Sequence, residues 1–212
     1  MYREQKKVNI KSTMKEVLLL SLTVLLLFRQ GVAQPSFDHH HESIIIDERD
    51  QKVSVEKIIK IDQVWAGHPV GFSLLTDDDQ QYIAYYNDER HLIVGQRHLH
   101  QDTFALHKIP PYPRESREGT STILGWDSHN YLTLGLDKEG YIHLSGNMHV
   151  NGLTYFRSTV PNDITTLIQV DKMVGSEENR CTYPVFMNTA ENELIFRYRD
   201  GGSGNVNDIY NR

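Results

Sequence analysis

From residue 53 onward, apolar positions come in short β-rich runs. The runs are separated by acidic or glycine-containing clusters, and apolar residues at helical spacing are scarce. The pattern predicts strands near Val53–Ile61, Val70–Leu75, Tyr82–Tyr86, Leu92–Gln96 and Thr103–His107. Further strands are expected near Tyr131–Leu136, Tyr141–Ser145, Thr154–Ser158, Thr182–Asn188 and Glu193–Tyr198. The intervening clusters Thr76-Asp77-Asp78-Asp79, Asn87-Asp88-Glu89, Asp137-Lys138-Glu139-Gly140 and Asp200-Gly201-Gly202 have turn chemistry.

The pattern also echoes itself. Gln81-Tyr82-Ile83-Ala84-Tyr85 is similar to Gly140-Tyr141-Ile142-His143-Leu144, and each Tyr is followed 15 or 16 residues later by an Arg, Arg97 or Arg157. Asn192-Glu193-Leu194-Ile195-Phe196 is a looser third copy. A period of roughly 50 residues carrying four strands is that of a β-propeller blade, so residues 53–212 read as a partial all-β propeller of about three blades. A β-sandwich with coincidentally similar hairpins is the alternative. Because propellers close with four or more blades, the sequence is expected to be the N-terminal part of a longer ring.

The first 34 residues follow a different logic. A basic lead (Arg3, Lys6, Lys7, Lys11, Lys15) precedes the apolar run Val17–Phe28, and Gly31-Val32-Ala33 follows. This is the layout of a signal peptide over residues 1–33, with 34–52 as a flexible leader. The run of about 12 residues is short of the roughly 20 needed to span a bilayer. An uncleaved anchor is the competing reading. The expectation is a secreted or periplasmic protein without membrane contact in its mature form.

Of 22 Lys and Arg, six stand in residues 1–34, against two of 28 Asp and Glu, leaving the remainder near −10. Such a surface argues against nucleic acid as a partner, though not against an anionic substrate held by local positive charge. The single cysteine, Cys181, excludes an internal disulfide and reads as a small buried apolar residue.

Unusual residues gather at predicted strand ends: Gly125-Trp126-Asp127-Ser128-His129-Asn130, Ser145-Gly146-Asn147-Met148-His149, Thr182-Tyr183-Pro184 and Arg197–Gly204. In a propeller, strand ends on one face converge, so these groups can share a site. Histidines, a tyrosine and an arginine without an obligatory carboxylate pair suit β-elimination on a uronic acid. Arginine neutralises the carboxylate through a two-donor fork, and histidine and tyrosine move protons. Each residue also has an ordinary structural reading: Asp127 as a turn cap, Arg199-Asp200 as a weak ion pair, Tyr183 as edge packing.

Trp126–Asn130, Asp137–His143, Gly146–His149 and Tyr198–Gly204 resemble the BNR repeat-containing family of bacterial propeller proteins, which includes the seven-bladed ulvan lyases of polysaccharide lyase families 24 and 25. The resemblance covers roughly residues 62–212. It implies a ring of seven blades when complete and cleavage of an anionic, uronate-containing polysaccharide by elimination. It also implies His129, His149, Tyr183 and Arg199 as catalytic residues. On that reading Arg199, helped by one histidine, neutralises the carboxylate, and Tyr183 and the other histidine share proton transfer; which histidine does which stays open. Asn130 and Asn147 are candidate sugar contacts or supports behind the site. A glycoside hydrolase, a non-catalytic glycan-binding propeller and an inactive fragment are the alternatives.

No cofactor and no metal are expected. His39-His41 reads as leader. His98-Leu99-His100 puts two imidazoles on one strand face, a spacing found in metal sites, but the sequence reveals no third ligand. The sialidase Asp-box pattern and phosphate-cradling glycine loops are absent.

Overall fold

The computed structural model describes residues 44–45, 52–53, 55, 57–67, 69, 71–113, 120–204 and 207–211. The export signal expected over 1–33 and the His39-His41 leader lie outside them. A small antiparallel pair, β1 (Ile44–Ile45) with β2 (Lys52–Val53), belongs to a separate N-terminal unit ending at Lys57. The strand expected over Val53–Ile61 is not formed over the described residues 57–63. Only its end meets a neighbour: the Asp88 amide donates to the Gln63 carbonyl and Val64 forms an isolated antiparallel bridge with Asn87, while Ile58 is largely exposed.

The unit from Ile58 onward is all-β. Its first sheet is a meander of β3 (Ser73–Asp77), β4 (Gln80–Tyr86), β5 (Leu92–His98) and β6 (Ala105–Lys108). The second is formed by β7 (Leu132–Leu136), β8 (Ile142–Gly146), β10 (Tyr155–Ser158) and β11 (Leu167–Gln169). The third joins β9 (His149–Asn151), β12 (Cys181–Asn188), β13 (Leu194–Asp200) and β14 (Asn207–Asn211). Every pairing is antiparallel. One short 3-10 turn (Ile164–Thr166) is the helical element described, and no described helix is long and apolar enough to cross a membrane.

Three four-stranded meanders fit propeller blades rather than the two facing layers of a sandwich. The sequence echo now has a physical meaning. Its copies, 81–85, 140–144 and 192–196, lead into or lie on the strand that follows the tight turn after each sheet's first long strand: β4, β8 and β13. Asp137 Oδ1 accepts from the amides of Glu139 and Tyr141, and Thr189 Oγ1 accepts from those of Glu191 and Glu193. These turns thus close by side-chain bonds to the backbone.

The sheets pack side by side around β7, which meets β3 and β4 on one flank and β12 on the other. All five β7 residues are buried, the continuous apolar run of a strand covered on both faces. The main core runs through Tyr82, Val94, Leu134, Leu144, Phe156 and Leu167 across the first two sheets, and a smaller cluster of Met148, Cys181, Phe196 and Tyr198 underlies the third. Cys181 is fully buried, which pushes its thiol up to about 12, with Glu178 and Asp200 adding to the effect.

Polar bonds fix how the sheets meet. The Leu134 amide donates to Ser73 Oγ, the Phe186 amide to Thr133 Oγ1, and Tyr82 Oη to Asn162 Oδ1. Gly135 is where β7 comes closest to the third sheet: a Cβ there would lie 2.8 Å from the Phe186 side chain. A cavity of about 330 Å³ between the second and third sheets is lined by Asp137, His143, Tyr155, Phe186, Leu194 and Asn211, among others.

Candidate active site

The residues before β7, between β8 and β9, and at the start of β12 meet at one end of the second and third sheets. This end is opposite the 137–140 turn, which lies at the other end of β7. The site is an open surface, and the 330 Å³ cavity is not part of it.

His129 and His149 stack, with ring centroids 4.2 Å apart and planes 25° from parallel. Between them lies Asp127. Its Oδ1 is 2.7 Å from His129 Nδ1 and its Oδ2 is 2.6 Å from His149 Nδ1. The carboxylate is 15% exposed and also accepts from the His129 amide at 2.9 Å. Burial pushes the Asp127 carboxyl up, but the amide of His129 and the rings of His149 and His129 outweigh it and hold the group down, at about 2. An ionised carboxylate is acceptor-only, so each Nδ1 is a donor and each Nε2 is turned away from Asp127.

Tyr183 joins this pair from β12. The β12–β13 register shifts between Thr182 and Val185, and Tyr183 sits in that irregularity with φ of 55°. Pro184 has no N–H to give to the ladder, and a bulge is where a strand interior tolerates proline. The bulge aims the Tyr183 ring to within 5.8 Å of His129 and stacks it on Tyr131 at 5.1 Å. Arg199 on β13 places its guanidinium carbon 4.6 Å over the Tyr183 ring, and its Nε donates to the Gly201 carbonyl at 3.2 Å.

The loop between β8 and β9 is strained. Asn147 and Val150, on either side of His149, have φ of 58° and 56°, the latter an unfavourable conformation for a β-branched residue. Local bonds hold it there: the Val150 amide donates to Thr182 Oγ1 at 2.7 Å, and Asn147 Nδ2 donates to the Ser121 and Ile123 carbonyls at 3.0 Å. Asn147 is 2% exposed and Asn130 fully buried; the Asn130 carboxamide has no hydrogen-bond partner among the described residues. Both therefore lie below the surface on which the imidazoles sit, the place of supports behind the site.

The four residues singled out from sequence, His129, His149, Tyr183 and Arg199, are therefore neighbours. Two further residues join them. Asp127 was legible only as a turn cap, although an Asp two residues before a His is the signal of a local carboxylate–imidazole pair. Tyr131 reads in sequence as a strand residue, yet it is 43% exposed beside Tyr183; Trp126, 72% exposed, meets Trp65 edge-on at 5.5 Å.

Comparison with known proteins gives a consistent fold. Among solved structures, the chain is similar to the polysaccharide lyase Uly1, at 15% identity and a TM-score of 0.56 over 74% of this chain and 42% of that one. It is also similar to an ulvan lyase of polysaccharide lyase family 25 bound to -[GlcA(1-4)Rha3S]-, at 14% identity and a TM-score of 0.55 over 72% of this chain and 38% of that one. A second structure of a family 25 ulvan lyase gives 15% identity and a TM-score of 0.51, over 72% of this chain and 36% of that one. The chain thus spans about two-fifths of the length of these lyases. No curated protein matches it. The family pattern described as BNR repeat-containing family member matches residues 80–212, and the chain belongs to that family.

Proposed function

We propose that this chain carries the catalytic face of a secreted polysaccharide lyase that cleaves a uronate-containing, ulvan-like polysaccharide by β-elimination. The observation that carries the reading is the convergence of His129, His149, Tyr183 and Arg199 at one end of two adjacent sheets, with Asp127 bridging both imidazoles. The lyase fold and the saccharide held by a structural neighbour support the substrate class. The two-fifths coverage of those chains accords with three blades of a seven-bladed ring.

In the reaction a base takes the C5 proton, the C4–O bond breaks as a C4=C5 double bond forms, and an acid protonates the departing oxygen. The C5 proton becomes accessible only when the neighbouring carboxylate is neutralised. Arg199 supplies a fixed positive charge and a planar donor fork for that purpose. The stacked histidines divide the remaining work. One ring assists charge neutralisation through its Nε2, and the other shares proton transfer with Tyr183. Trp126, Tyr131 and Tyr183 offer aromatic faces on which sugar rings can stack.

A hydrolase requires two carboxylates facing the sugar. Asp127 is engaged with both imidazoles, which favours elimination. The test is incubation with ulvan: elimination yields an unsaturated uronate absorbing near ~235 nm, the chromophore of the product of this acid–base chemistry. Reducing ends without that absorbance, or no product on any uronate polymer, would refute the proposal. Export through residues 1–33 is tested by the mass of the mature protein in the medium or periplasm.

A further inference from the structure

We infer that Asp79, His98 and His100 form a surface site for a borderline divalent transition metal, with Zn²⁺ the ion of best fit. The histidine pair lacked a third ligand in the sequence, and the fold supplies one. Asp79 lies in the turn between β3 and β4, His98 ends β5, and His100 follows in the next turn. One ligand atom from each lies within 4.8 Å of the other two. His98 Nδ1 is 3.1 Å from Asp79 Oδ2, and the two imidazoles stack with centroids 5.2 Å apart. Tetrahedral zinc with bonds of about 2.0–2.2 Å needs donor atoms roughly 3.3 Å apart, within reach of small side-chain rotations.

The backbone beneath the site is already fixed. The Leu99 amide donates to the Asp79 carbonyl at 2.8 Å, tying the two ligand-bearing turns together. Arg97 Nη1 donates to the carbonyls of Leu99 and Gln101, and Gln101 Oε1 accepts from the His98 amide. The Gln80 carboxamide lies 2.8 and 3.1 Å from the two His98 ring nitrogens. Its Nε2 is the atom facing the ring, and its Oε1 accepts from Gln96 Nε2 at 3.3 Å, so the carboxamide packs against His98 and limits its rotation.

Two imidazoles and a carboxylate, with water completing the shell, favour Zn²⁺, Ni²⁺ or Cu²⁺ over Ca²⁺ or Mg²⁺. The site is at the end of the first sheet that corresponds to the 137–140 turn of the second, away from His129 and His149. Its effect is therefore to clip the turns of the first blade together, without taking part in proton transfer.

The experiment uses the full chain with His39, His40 and His41 replaced by alanine, so that the leader cannot chelate. Zn²⁺ binding is measured by titration calorimetry, and thermal unfolding is followed with and without Zn²⁺. The expected result is a stoichiometric site and a Zn²⁺-dependent rise in Tm that Ca²⁺ does not produce. His100→Ala and His98→Ala should each weaken binding by at least about tenfold and abolish the rise, the order expected when a metal's surroundings are disturbed. His100 is exposed, so its variant also controls for folding. Unchanged binding in both variants, or binding lost only in His149→Ala, would overturn the inference.

Discussion

Arg199 holds its guanidinium carbon 4.6 Å above the ring of Tyr183, sixteen residues earlier in the chain, across the bulged part of the β12–β13 ladder. Stacking and a planar fork are both properties of arginine that lysine lacks. Arg199→Lys is therefore expected to lower any cleavage of ulvan by at least about a hundredfold, the scale of losing one aimed charge-stabilising donor. Its urea midpoint should shift little. Retention of most of the activity would remove Arg199 from the reaction.

Asp127 makes the opposite kind of prediction, because its effect is visible without substrate. Its carboxyl is held near 2 against an ordinary value of 3.8. A depressed acid contributes stability that is complete above about pH 4 and is lost as the pH falls through 2, on the order of 2 kcal/mol. Asp127→Asn should flatten that part of the stability–pH curve, measured by urea unfolding. In any cleavage of ulvan it should also lower kcat by more than it raises KM, since the carboxamide keeps one acceptor oxygen and turns an N–H toward the other imidazole. An unaltered acid limb would mean that the bridge is not energetically coupled to folding.

A second pH window belongs to His143. Burial lowers its pKa below 6.5, and the Arg157 charge adds to this, against the opposing pull of Asp137. The unfolded chain therefore takes up a proton that the folded chain resists, and stability falls as the pH drops below about 6.5. Neutral His143 accepts from Tyr155 Oη at 2.7 Å and donates to Asp137 at 3.0 Å. His143→Gln should remove the pH 5–7 slope. Tyr155→Phe should cost roughly 1–3 kcal/mol at pH 7 by leaving a buried acceptor unmatched. Equal slopes for wild type and His143→Gln in urea melts would contradict this.

Gly135 tests whether the second and third sheets must touch for the site to form. The Cβ of an alanine would meet Phe186 at 2.8 Å and Leu194 at 2.9 Å. Gly135→Ala is expected to destabilise by about 1–3 kcal/mol. Because Tyr183 and Arg199 ride on the third sheet, it should also reduce any ulvan cleavage. Phe186→Ala should not rescue either, because the Phe186 Cβ is itself 2.8 Å away and survives the truncation; both effects are read by thermal unfolding and product absorbance.

The strands with clear alternation or continuous burial, such as Gln80–Tyr86 and Leu132–Leu136, were legible in the sequence, as was the turn-plus-strand repeat. The short strands His149–Asn151 and Leu167–Gln169 were not, because three residues cannot establish a period. They pair only because neighbouring edges are already in place. Residues 57–63 show the converse: alternation that ends in an isolated bridge at Val64 rather than in a strand. At the site, the histidines, Tyr183 and Arg199 could be named through family likeness. The role of Asp127 and the burial of Asn130 and Asn147 depend on how three separate loops fold over one another. Likewise, Asp79 is 19 residues from His98, and only the β3–β4 turn brings it alongside.

Val150, the β-branched residue held with φ of 56° next to His149, has an engineering consequence. Glycine would relieve that backbone conformation, a gain on the order of 1 kcal/mol. A laboratory selection for heat resistance alone would therefore be drawn to position 150. The same replacement would loosen the backbone beside the imidazole that Asp127 orients, so the hardiest variant from such a selection should be the one that holds His149 least firmly.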